Sequence, residues 1–572
     1  MKKVEGATMK HARRFVFRRI DNFREVRRHI AVWVLAIGVI VGASGLQLMW
    51  YQQSYRAIAF ANDGTYAEAV LGPVETLNPI FANSSAEESV GNLLFSKLLT
   101  YDKTGHLNYD LATSMAISED QKTYTLKLRP EAQWSDGIYV RAKDVAFTVG
   151  LLKNPATRST ISGWDDVTVT AVDDLTVSFT LPAVYAAFPH ALNFLPILPE
   201  HVLRDVEPGA IRENVFSSKP IGSGPFTHRF SQEVDKGAQR KIIHLARNDN
   251  YFRGAPKLDR FQLHVYNNAD AIVRAINTFE VNAATDLSVA STQKINANRY
   301  TIERKPINSG VYALFNTSSA ALTDPKVRQA LQVGTSTKAV RESVGKDTPE
   351  LHLPFINGQL TGEVPQAPAY DKVAAGRLLD EAGWKLDGNV RKKDGINLKL
   401  SVVTTKNNDF EKALETLAGQ WRGLGVTITT VIVDPSDKTQ NVAQDVLQKR
   451  NYDVLLYQLT IGGDPDIYAY WHSTQANTGF NFSNYANTIS DESLTSARAR
   501  IEPELRNAKY LTFAKQWLAD APAIGLYQST TQYVYSKSVH AIPEDEVLIS
   551  PTDRYTNVLY WSVGDRLVQQ TP

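Results

Sequence analysis

The sequence predicts an α/β body that follows one N-terminal transmembrane helix. Residues 410–433 combine a helix, whose apolar residues recur every third or fourth position, with a strand that begins after Gly425. Val454–Tyr457 is an uninterrupted apolar run, which is typical of a strand buried on both faces. Ile30–Trp50 is a stretch of 21 residues without a charge. The first two observations indicate helices packed on a sheet, and the third indicates a membrane span.

The composition is that of a globular protein, with 43% hydrophobic and 21% charged residues. A chain of 572 residues exceeds one hydrophobic core and corresponds to roughly three or four domains' worth of material. Since it contains no cysteine, disulfides, thiol catalysis, Cys-ligated zinc, iron–sulfur clusters and a lipid-modified N-terminal Cys are excluded. The net charge of +2 combines a basic N-terminal segment with a mildly acidic remainder, so the charge pattern does not indicate a nucleic-acid binder.

The N-terminal segment predicts how the chain is placed in the cell membrane. Residues 1–29 carry ten Lys/Arg and three Asp/Glu, so by the positive-inside rule they form a basic cytoplasmic tail. The uncharged stretch would span about 31 Å as a helix, which matches the hydrocarbon core. We therefore expect a single-pass anchor at residues 30–51. A cleaved signal peptide is the alternative, because residues 57–61 contain two small-residue cleavage patterns. Both predictions place the body outside the cytoplasm.

The body alternates strand and helix patterns along the chain. Ser85 and Glu88 predict a capping box at the start of a helix. Asp324 before Pro325 predicts another helix start. Apolar alternation or periodicity predicts the remaining principal elements. The strands are Tyr124–Arg129, the hairpin Val167–Val172 and Leu175–Phe179, Lys241–Ala246, Phe261–Val265, Val311–Phe315, Val426–Val433 and Ile524–Tyr527, and the helices include Val145–Leu152 and Tyr370–Ala382.

The apolar strand Val454–Tyr457 leads into a loop that has features of a binding site. Gly462 and Gly463 permit unusual backbone angles, and Pro465 ends regular strand pairing. Aromatic residues follow, up to Trp471. A rigid strand that ends in a polar, aromatic-flanked loop is a common ligand site in α/β proteins. A plain turn beside core aromatic residues is the alternative.

The sequence contains no familiar catalytic motif. A G-x-S-x-G nucleophile elbow, an H-E-x-x-H helix, a Walker A loop and a G-x-G-x-x-G fingerprint are all absent. Gly222-Ser223-Gly224 is predicted to be structural, because Pro225 follows where a helix should begin. Asp464 and Asp466 are closely spaced, but acidic turns are more often caps than metal or acid–base sites. The histidines lack partners at metal-ligand spacing. The sequence therefore predicts a protein that is not an enzyme and that holds no metal or other cofactor.

The segment Tyr124–Thr148 resembles the signature of the family 5 extracytoplasmic solute-binding proteins, the peptide and nickel receptors of ABC importers. The family pattern is a strand ending in Leu-Arg, then Trp-Ser-Asp-Gly, then Ala-x-Asp-Val at a helix start. The resemblance covers about residues 65–565. Its matching segments are Leu77–Pro79, Leu128–Arg129, Trp134–Gly137, Ala142–Val145, Ile221–Phe226, Arg247–Phe252, Asn316, Val327–Leu331, Leu378–Trp384, Asp464–Asp466 and Ala521–Pro522.

This resemblance implies a two-lobed, class II periplasmic-binding-protein-like receptor with three domains, whose lobes close on a ligand by hinge motion. Domain I would comprise residues 65–94, 218–313 and 526–572, domain II residues 95–217, and domain III residues 314–525. In peptide-binding members the cleft holds an extended ligand as an added strand. The ligand-binding residues expected on this basis are Tyr312, Asn316, Tyr457, Gly462, Gly463, Asp464, Trp471 and Tyr485.

The implied function is that of a membrane-tethered, monomeric substrate-binding subunit of an ABC importer, with permease and ATPase subunits as partners. Oligopeptides are the leading ligand, and a nickel chelate or a sugar is the alternative. A tethered peptide sensor or chaperone is a second possibility, and a hydrolase is a weaker third. Two departures stand out: the helix replaces the usual lipid tether, and Ile461 occupies the position where peptide-binding members commonly have an aspartate for the ligand's α-ammonium.

Overall fold

The structure is a computed structural model that describes residues 23–54, 56–60, 63–237, 240–434, 441–542 and 545–569. The chain divides into a small unit, residues 1–61 with 564–572, and the body, residues 62–563.

Strands and helices alternate along the body, as the sequence predicts. The strands are β1 (Arg56–Phe60), β2 (Thr65–Leu71), β3 (Leu99–Tyr101), β4 (Leu107–Tyr109), β5 (Ala112–Ile117), β6 (Thr123–Leu128), β7 (Thr168–Ala171), β8 (Thr176–Thr180), β9 (Phe226–Asp235), β10 (Arg240–Arg247), β11 (Arg260–Tyr266), β12 (Ala283–Ala284), β13 (Tyr300–Phe315), β14 (Lys385–Asp387), β15 (Val390–Lys393), β16 (Ile396–Asn397), β17 (Lys399–Thr405), β18 (Thr427–Val433), β19 (Val454–Thr460), β20 (Ala523–Ser536), β21 (Val539–His540), β22 (Ser562–Val563) and β23 (Asp565–Gln569). The α-helices are α1 (Phe23–Ser54), α2 (Ser85–Leu94), α3 (Ala142–Lys153), α4 (Phe188–Ala191), α5 (Glu200–Leu203), α6 (Ala269–Asn277), α7 (Val289–Thr292), α8 (Pro325–Val333), α9 (Thr337–Val344), α10 (Lys372–Glu381), α11 (Asn408–Arg422), α12 (Tyr468–Trp471), α13 (Thr488–Arg498) and α14 (Pro503–Asp520). A π-helical segment (Val442–Gln448) and several short 3₁₀ segments complete the set, of which Pro551–Tyr560 is the longest.

The small unit contains α1 and an antiparallel pair formed by β1 and β23. Within α1, Arg27–Trp50 is a segment of 24 residues that is long and apolar enough to cross a membrane, with a length of about 36 Å. The predicted anchor at 30–51 lies inside α1. Of the predicted tail at 1–29, residues 1–22 lie outside the described residues. The same length and composition suit a signal sequence, so the anchor and the signal peptide both stand as predictions.

The body is organised around one sheet of ten strands, ordered β18-β17-β19-β13-β20-β12-β2-β11-β10-β9. One end of this sheet, β17 to β19, belongs to predicted domain III, and the other end, β2 and β9 to β12, belongs to predicted domain I. The two longest strands, β13 and β20, pair with each other and join the two ends. A separate four-stranded sheet, β5-β6-β8-β7, lies in predicted domain II. Predicted domains I and III thus share one sheet, whose two ends are joined through β13 and β20, whereas predicted domain II has a sheet of its own.

The strand β19 separates two hydrophobic cores in the domain III part of the sheet. Val454 and Leu456 belong to the core that includes α8, α10 and α11, whereas Leu455 and Leu459 belong to the core that includes α13 and α14. Successive side chains of a strand point to opposite faces, so helices cover both faces of the sheet here. This confirms the prediction of a strand buried on both sides.

Several local predictions are confirmed, and one is wrong by one residue. The Asp324 carboxylate accepts a hydrogen bond from the Lys326 N–H (2.9 Å) at the start of α8, and β7 and β8 form the predicted hairpin. The predicted capping box at the start of α2 is wrong, because Ser84 is the N-cap and its hydroxyl accepts from the N–H of Glu87 (3.2 Å).

Candidate functional site

The candidate ligand site is a cavity of about 380 Å³ where the three predicted domains meet. This volume lies within the usual range for small-ligand sites, roughly 300–1,000 Å³. Its walls come from α2 and the residues after it, from residues 160–161 and 193–196, from β13 and β19, and from residues 550–552. A larger cavity of about 550 Å³ is lined by residues 100–103, 108–109, 113, 129, 253 and 556–557, with no contribution from predicted domain III. Only the first cavity therefore fits a ligand held between lobes.

A bulge in β13 forms one wall of this cavity. The pairing of β13 with β20 is irregular between Pro306 and Gly310, because the intervening residues are accommodated there opposite fewer residues of β20. Ile307 and Ser309, inside the bulge, line the cavity. The main chain of Asn308 does not pair with β20. Its carbonyl oxygen accepts hydrogen bonds from the N–H groups of Ile461 and Gly462, in the loop after β19. Bulges of this kind re-aim side chains beside functional sites.

The end of β19 forms the adjoining wall. Gln458 and Thr460 line the cavity, while Tyr457, on the opposite face, packs its ring against Phe482 with 5.7 Å between centroids. Strand β17 pairs with β19 only over Val454–Leu456, so the last four residues of β19 continue past β17. The predicted strand is thus at the cavity, but the two-residue alternation places Tyr457 behind it.

Helix α2 brings a carboxylate to the cavity. The neighbouring Glu87 is buried, and its carboxylate accepts hydrogen bonds from the N–H groups of Glu75 (2.7 Å), Thr76 (3.1 Å) and Asn83 (2.9 Å). Glu88 lines the cavity instead. Glu88 is exposed to solvent, and partial desolvation raises the pKa of its carboxyl, while the nearby positive charge of Lys97 opposes that rise. Among the described residues, no side chain makes a hydrogen bond or ion pair with the Glu88 carboxylate.

Lys97 lies three residues beyond the end of α2, in a segment that is held rigidly. Gly222 and Gly224 allow their loop to pass against the backbone of Leu94, where a Cβ on Gly222 would lie 2.0 Å from the carbonyl oxygen. Ser96 donates to the carbonyl of Ser223 (2.9 Å), and the Lys97 N–H donates to Asp110 (3.1 Å). This structural role of the glycine loop agrees with the sequence prediction.

Lys97 lines this cavity and, together with Asp110 and Asp553, also lines a second cavity. Burial lowers its pKa, while Asp553, Asp110 and Glu88 act in the opposite direction. Both aspartates have other partners: Asp110 lies 3.6 Å from Arg253, and Asp553 accepts from the Ser550 N–H (2.6 Å). Within the part of the chain that the structure describes, no carboxylate lies within 4.0 Å of the Lys97 ammonium.

Asn193 adds a polar group to the wall that comes from predicted domain II. The residue is only 2% exposed, and its Oδ1 atom accepts no hydrogen bond from any described residue. It lines the same cavity as Glu88 and Lys97. Since a buried acceptor without a partner costs about 1–3 kcal/mol, this position favours a ligand or a water molecule that donates a hydrogen bond.

None of the eight residues predicted from the sequence lines this cavity, although three follow the lining residue Thr460 in the loop after β19. Gly462 has φ +82°, which favours glycine, and its N–H donates to Asn308 (3.0 Å). Gly463 lies so close to Tyr101 that a Cβ would be 2.6 Å from the tyrosine oxygen. Asp464 follows and is largely buried.

Asp464 is engaged inside the protein. Its two oxygens accept hydrogen bonds from Arg506 at 2.6 and 2.8 Å, in a bidentate pair. His190 Nε2 lies 3.9 Å from the same carboxylate, and the His190 Nδ1 is hydrogen-bonded to Tyr101 (2.9 Å). Burial lowers the pKa of His190, which favours the neutral imidazole. Asp464 therefore belongs to a contact between predicted domains II and III.

A second pair extends this contact. Arg498 donates to Asp466 at 2.7 and 2.9 Å, and its guanidinium lies over the ring of Tyr185. The Ala186 N–H donates to the carbonyl oxygen of Arg498 (3.0 Å). The two carboxylates of the Asp-Pro-Asp loop are thus paired with Arg506 and Arg498 inside predicted domain III. Contact with residues 185–190 is made by His190 beside Asp464, by the Tyr185 ring under Arg498 and by the main-chain hydrogen bond from Ala186 to Arg498.

The other predicted site residues lie deeper or farther away. Tyr312 is fully buried, donates to the Leu353 carbonyl oxygen (3.1 Å) and packs edge-on against Trp471. Tyr485 donates to Asp520 (2.6 Å). Asn316 follows the last residue of β13, about 23 Å along the strand from the cavity wall at residue 309, and donates to the carbonyl oxygen of residue 452 (3.0 Å). Their contact with a ligand stays a prediction, and their positions favour a supporting role.

The sequence analysis missed the cavity residues Glu88, Lys97, Asn193 and Gln458. Glu88 was interpreted as the capping partner of Ser85. The adjacent Ser84 and Glu87 have the same spacing, so the sequence also allowed a helix start one residue earlier. Lys97 and Asn193 carried no local signal, because their significance depends on a wall assembled from distant segments.

Comparisons with known proteins identify what this arrangement resembles. The model of the bacterial extracellular solute-binding proteins, family 5 (middle), matches residues 106–481. The chain is 26% identical over 492 residues to the oligopeptide-binding protein AppA of Bacillus subtilis, covering 83% of this chain and 87% of AppA. It is also 26% identical to the glutathione-binding protein GsiB of Pectobacterium atrosepticum, covering 80% and 87% of the two chains.

Solved structures share the fold. The AppA structure with a nonapeptide superposes with a TM-score of 0.72 at 22% identity, covering 88% of this chain and 100% of AppA. NikZ of Campylobacter jejuni with Ni(L-His) superposes with a TM-score of 0.73 at 25% identity, covering 87% and 99%. These likenesses confirm the predicted α/β fold of this receptor class.

Proposed function

The chain belongs to the family 5 bacterial extracellular solute-binding proteins, and on this basis we propose that it is the substrate-binding subunit of an ABC importer that takes up short peptides. The observation that carries the proposal is the cavity lined by residues of all three predicted domains, with polar groups on each wall. A permease and an ATPase would be its partners. The relatives named for oligopeptides and for glutathione support a peptide ligand.

The binding cycle follows from the two strands that join the ends of the large sheet. Opening would bend β13 and β20 near the bulge and separate residues 185–190 from the loop that carries Asp464. A ligand that contacts β19, α2 and Asn193 at once binds only the closed form, so it shifts the population toward that form. The eight residues predicted from the sequence would then act mainly by shaping the loop and the contact between domains.

The α1 helix is proposed to tether this receptor to the cell membrane, with the body outside the cytoplasm. Its length and apolar composition support the tether. The basic residues before it support a cytoplasmic N-terminus.

The direct test is peptide binding by the full-length protein in detergent. A pool of random tripeptides should raise the melting temperature in a concentration-dependent way, and peptides should stay bound through gel filtration and be detected by mass spectrometry. Thr460→Trp would fill the cavity and abolish this effect, whereas Thr512→Trp, on the exposed face of α14, would preserve it.

Binding of a nickel chelate or a sugar, with no response to any peptide, would refute the peptide ligand while keeping the receptor. A stable protein that responds to none of these solutes would refute the transport function. Peptide binding without peptide uptake by cells that also contain the proposed permease and ATPase would favour the sensor or chaperone.

A further inference from the structure

The two edges of the ten-stranded sheet differ in how they are protected. At one edge, β9 carries Arg229, Glu233 and Asp235, and its pairing with β10 is irregular at two places. Charges and irregularities of this kind keep a free edge from pairing with another chain. At the other edge, β18 (TITTVIV) has no charged residue and no proline, and its register with β17 is unbroken. Nothing in β18 itself therefore opposes pairing with a further strand.

The outer side of β18 offers main-chain hydrogen-bonding groups. The Thr427 N–H donates to the Leu398 carbonyl oxygen (2.9 Å), and the Val433 carbonyl oxygen accepts from the Lys406 N–H (2.7 Å). The odd-numbered residues of β18 therefore direct their N–H and C=O groups toward β17, and the even-numbered ones direct theirs outward, because the direction alternates along a strand. The outward-facing residues are Ile428, Thr430 and Ile432. In the part of the chain that the structure describes, these outward groups have no hydrogen-bond partner.

The side chains of β18 are also open to solvent. Thr429 and Thr430 are exposed, and the apolar Val431 and Ile432 are 41% and 44% exposed. Every residue of β18 is β-branched, which favours a strand that packs against neighbours on both sides. An uncharged, β-branched strand with open hydrogen-bonding groups is a surface for strand addition.

We propose that two copies of this chain associate through β18, in an antiparallel pair centred on Thr430. This register places Thr430 opposite its own counterpart and Ile428 opposite the second copy's Ile432. These are the residues whose N–H and C=O groups face outward, so the outward donors of each copy meet the outward acceptors of the other. The inference goes beyond the proposed function, and it replaces the monomer that the family resemblance implies.

The sequence of β18 favours a second copy over a different partner. About Thr430 the strand is self-complementary: the two-fold register pairs isoleucine with isoleucine and threonine with threonine or valine, and it brings no like charges together. A partner that recognised this edge by charge would find no charge on β18. The tether proposed above would also confine all copies to one membrane surface, which raises their local concentration. Since one strand pair is smaller than the interface of a permanent dimer, the association is reversible.

The absence of cysteine from the chain provides a direct test, because a single introduced thiol reports on one contact. Residues opposite each other in such a pair have Cα atoms about 5.5 Å apart, a distance that a disulfide spans. We expect Thr430→Cys, in the full-length protein in lipid vesicles, to form a disulfide-linked dimer on mild oxidation. Thr427→Cys is the register control, because its two copies would lie about 20 Å apart along the strands. Thr512→Cys, on the exposed face of α14, is the control for random collision.

A second pair of variants tests the hydrogen bonds. Ile432→Pro removes an outward N–H and leaves the pairing with β17 intact, so added to Thr430→Cys it should abolish the disulfide-linked dimer. Ile432→Thr keeps the N–H and should preserve the dimer. Equal melting temperatures of the two double variants would show that both chains are folded. None of these readouts depends on a ligand, so the result is independent of the proposed peptide binding.

The absence of a disulfide at position 430, or equal cross-linking at position 427 or 512, would refute the proposal. In cell membranes, a disulfide between the Thr430→Cys chain and a different protein, with none between copies, would refute self-pairing. A dimer that persists in a folded Ile432→Pro chain would refute the proposed register.

Discussion

A buried carboxyl near the cavity wall should make the stability of this protein fall as the pH rises. Glu546 is 5% exposed, and burial raises its pKa from 4.5 to about 7. Asn557 donates to its Oε1 (2.8 Å), while Oε2 has no hydrogen-bond partner among the described residues. The folded state therefore prefers the protonated acid, and the unfolded state does not.

The direction and the size of the pH effect on stability follow from the difference between the Glu546 pKa values of the folded and unfolded states. Between pH 4.5 and 7 the folded protein binds more protons at Glu546 than the unfolded chain, so the free energy of unfolding decreases as the pH rises. Since a pKa difference of 1 corresponds to about 1.4 kcal/mol, the full effect is about 3 kcal/mol, and most of it falls between pH 5 and pH 8. Glu546→Gln removes the ionisable group and keeps an acceptor for Asn557.

The assay is thermal and denaturant unfolding of the full-length protein in detergent at pH 5 and pH 8. The Glu546→Gln variant should gain about 2–3 kcal/mol over the wild type at pH 8 and much less at pH 5. Glu119→Gln, at an exposed position of predicted domain II, is the control and should leave the pH dependence unchanged. A difference between Glu546→Gln and wild type that is the same at both pH values would refute the reasoning.

Three further predictions concern the domain contact and the anchor. Gly463→Ala should weaken ligand binding about tenfold or more because its Cβ would clash with Tyr101; unchanged affinity in calorimetry would contradict the close approach. Arg506→Met should destabilise the protein by about 3–5 kcal/mol in unfolding experiments by leaving Asp464 buried without its partner, and Asp464→Asn in the same chain should recover part of that loss; no recovery would argue against the pair. If α1 is a retained anchor, alkaline carbonate should leave the protein in the membrane fraction and Edman sequencing should find no cleavage near residues 57–61; a soluble, shortened chain would establish the signal peptide.

The sequence predicted the elements whose signals are local. Asp324 before Pro325 and the hairpin at β7 and β8 follow from capping and alternation, which involve neighbouring residues. The extent of β13 was not predicted, because its first half contains Glu303 and Lys305 and carries no apolar run. Those residues are held in the strand by pairing with β20, which lies more than 200 residues later in the chain.

The candidate site was predicted in outline for the same reason. The family resemblance and the buried strand located the end of β19, since both are patterns along the chain. Tyr457 was predicted instead of Gln458 because the sequence does not show which face of β19 meets the cavity. Tyr457 packs against the core that includes α13 and α14, which are distant in sequence, and Gln458 therefore faces the cavity. Asp464 looked available from the sequence because its partner Arg506 lies on a separate helix.

The bulge in β13 connects the cavity wall to the strands that join the two ends of the large sheet. Residues 307–309 belong at once to the wall of the cavity and to the strands that would bend on opening, and Asn308 is hydrogen-bonded to the loop that meets the opposite lobe. In the proposed hinge motion, a ligand held against this wall would contact the strands that bend. Under the proposed hinge motion, the size of the bound molecule would therefore influence how far β13 and β20 bend.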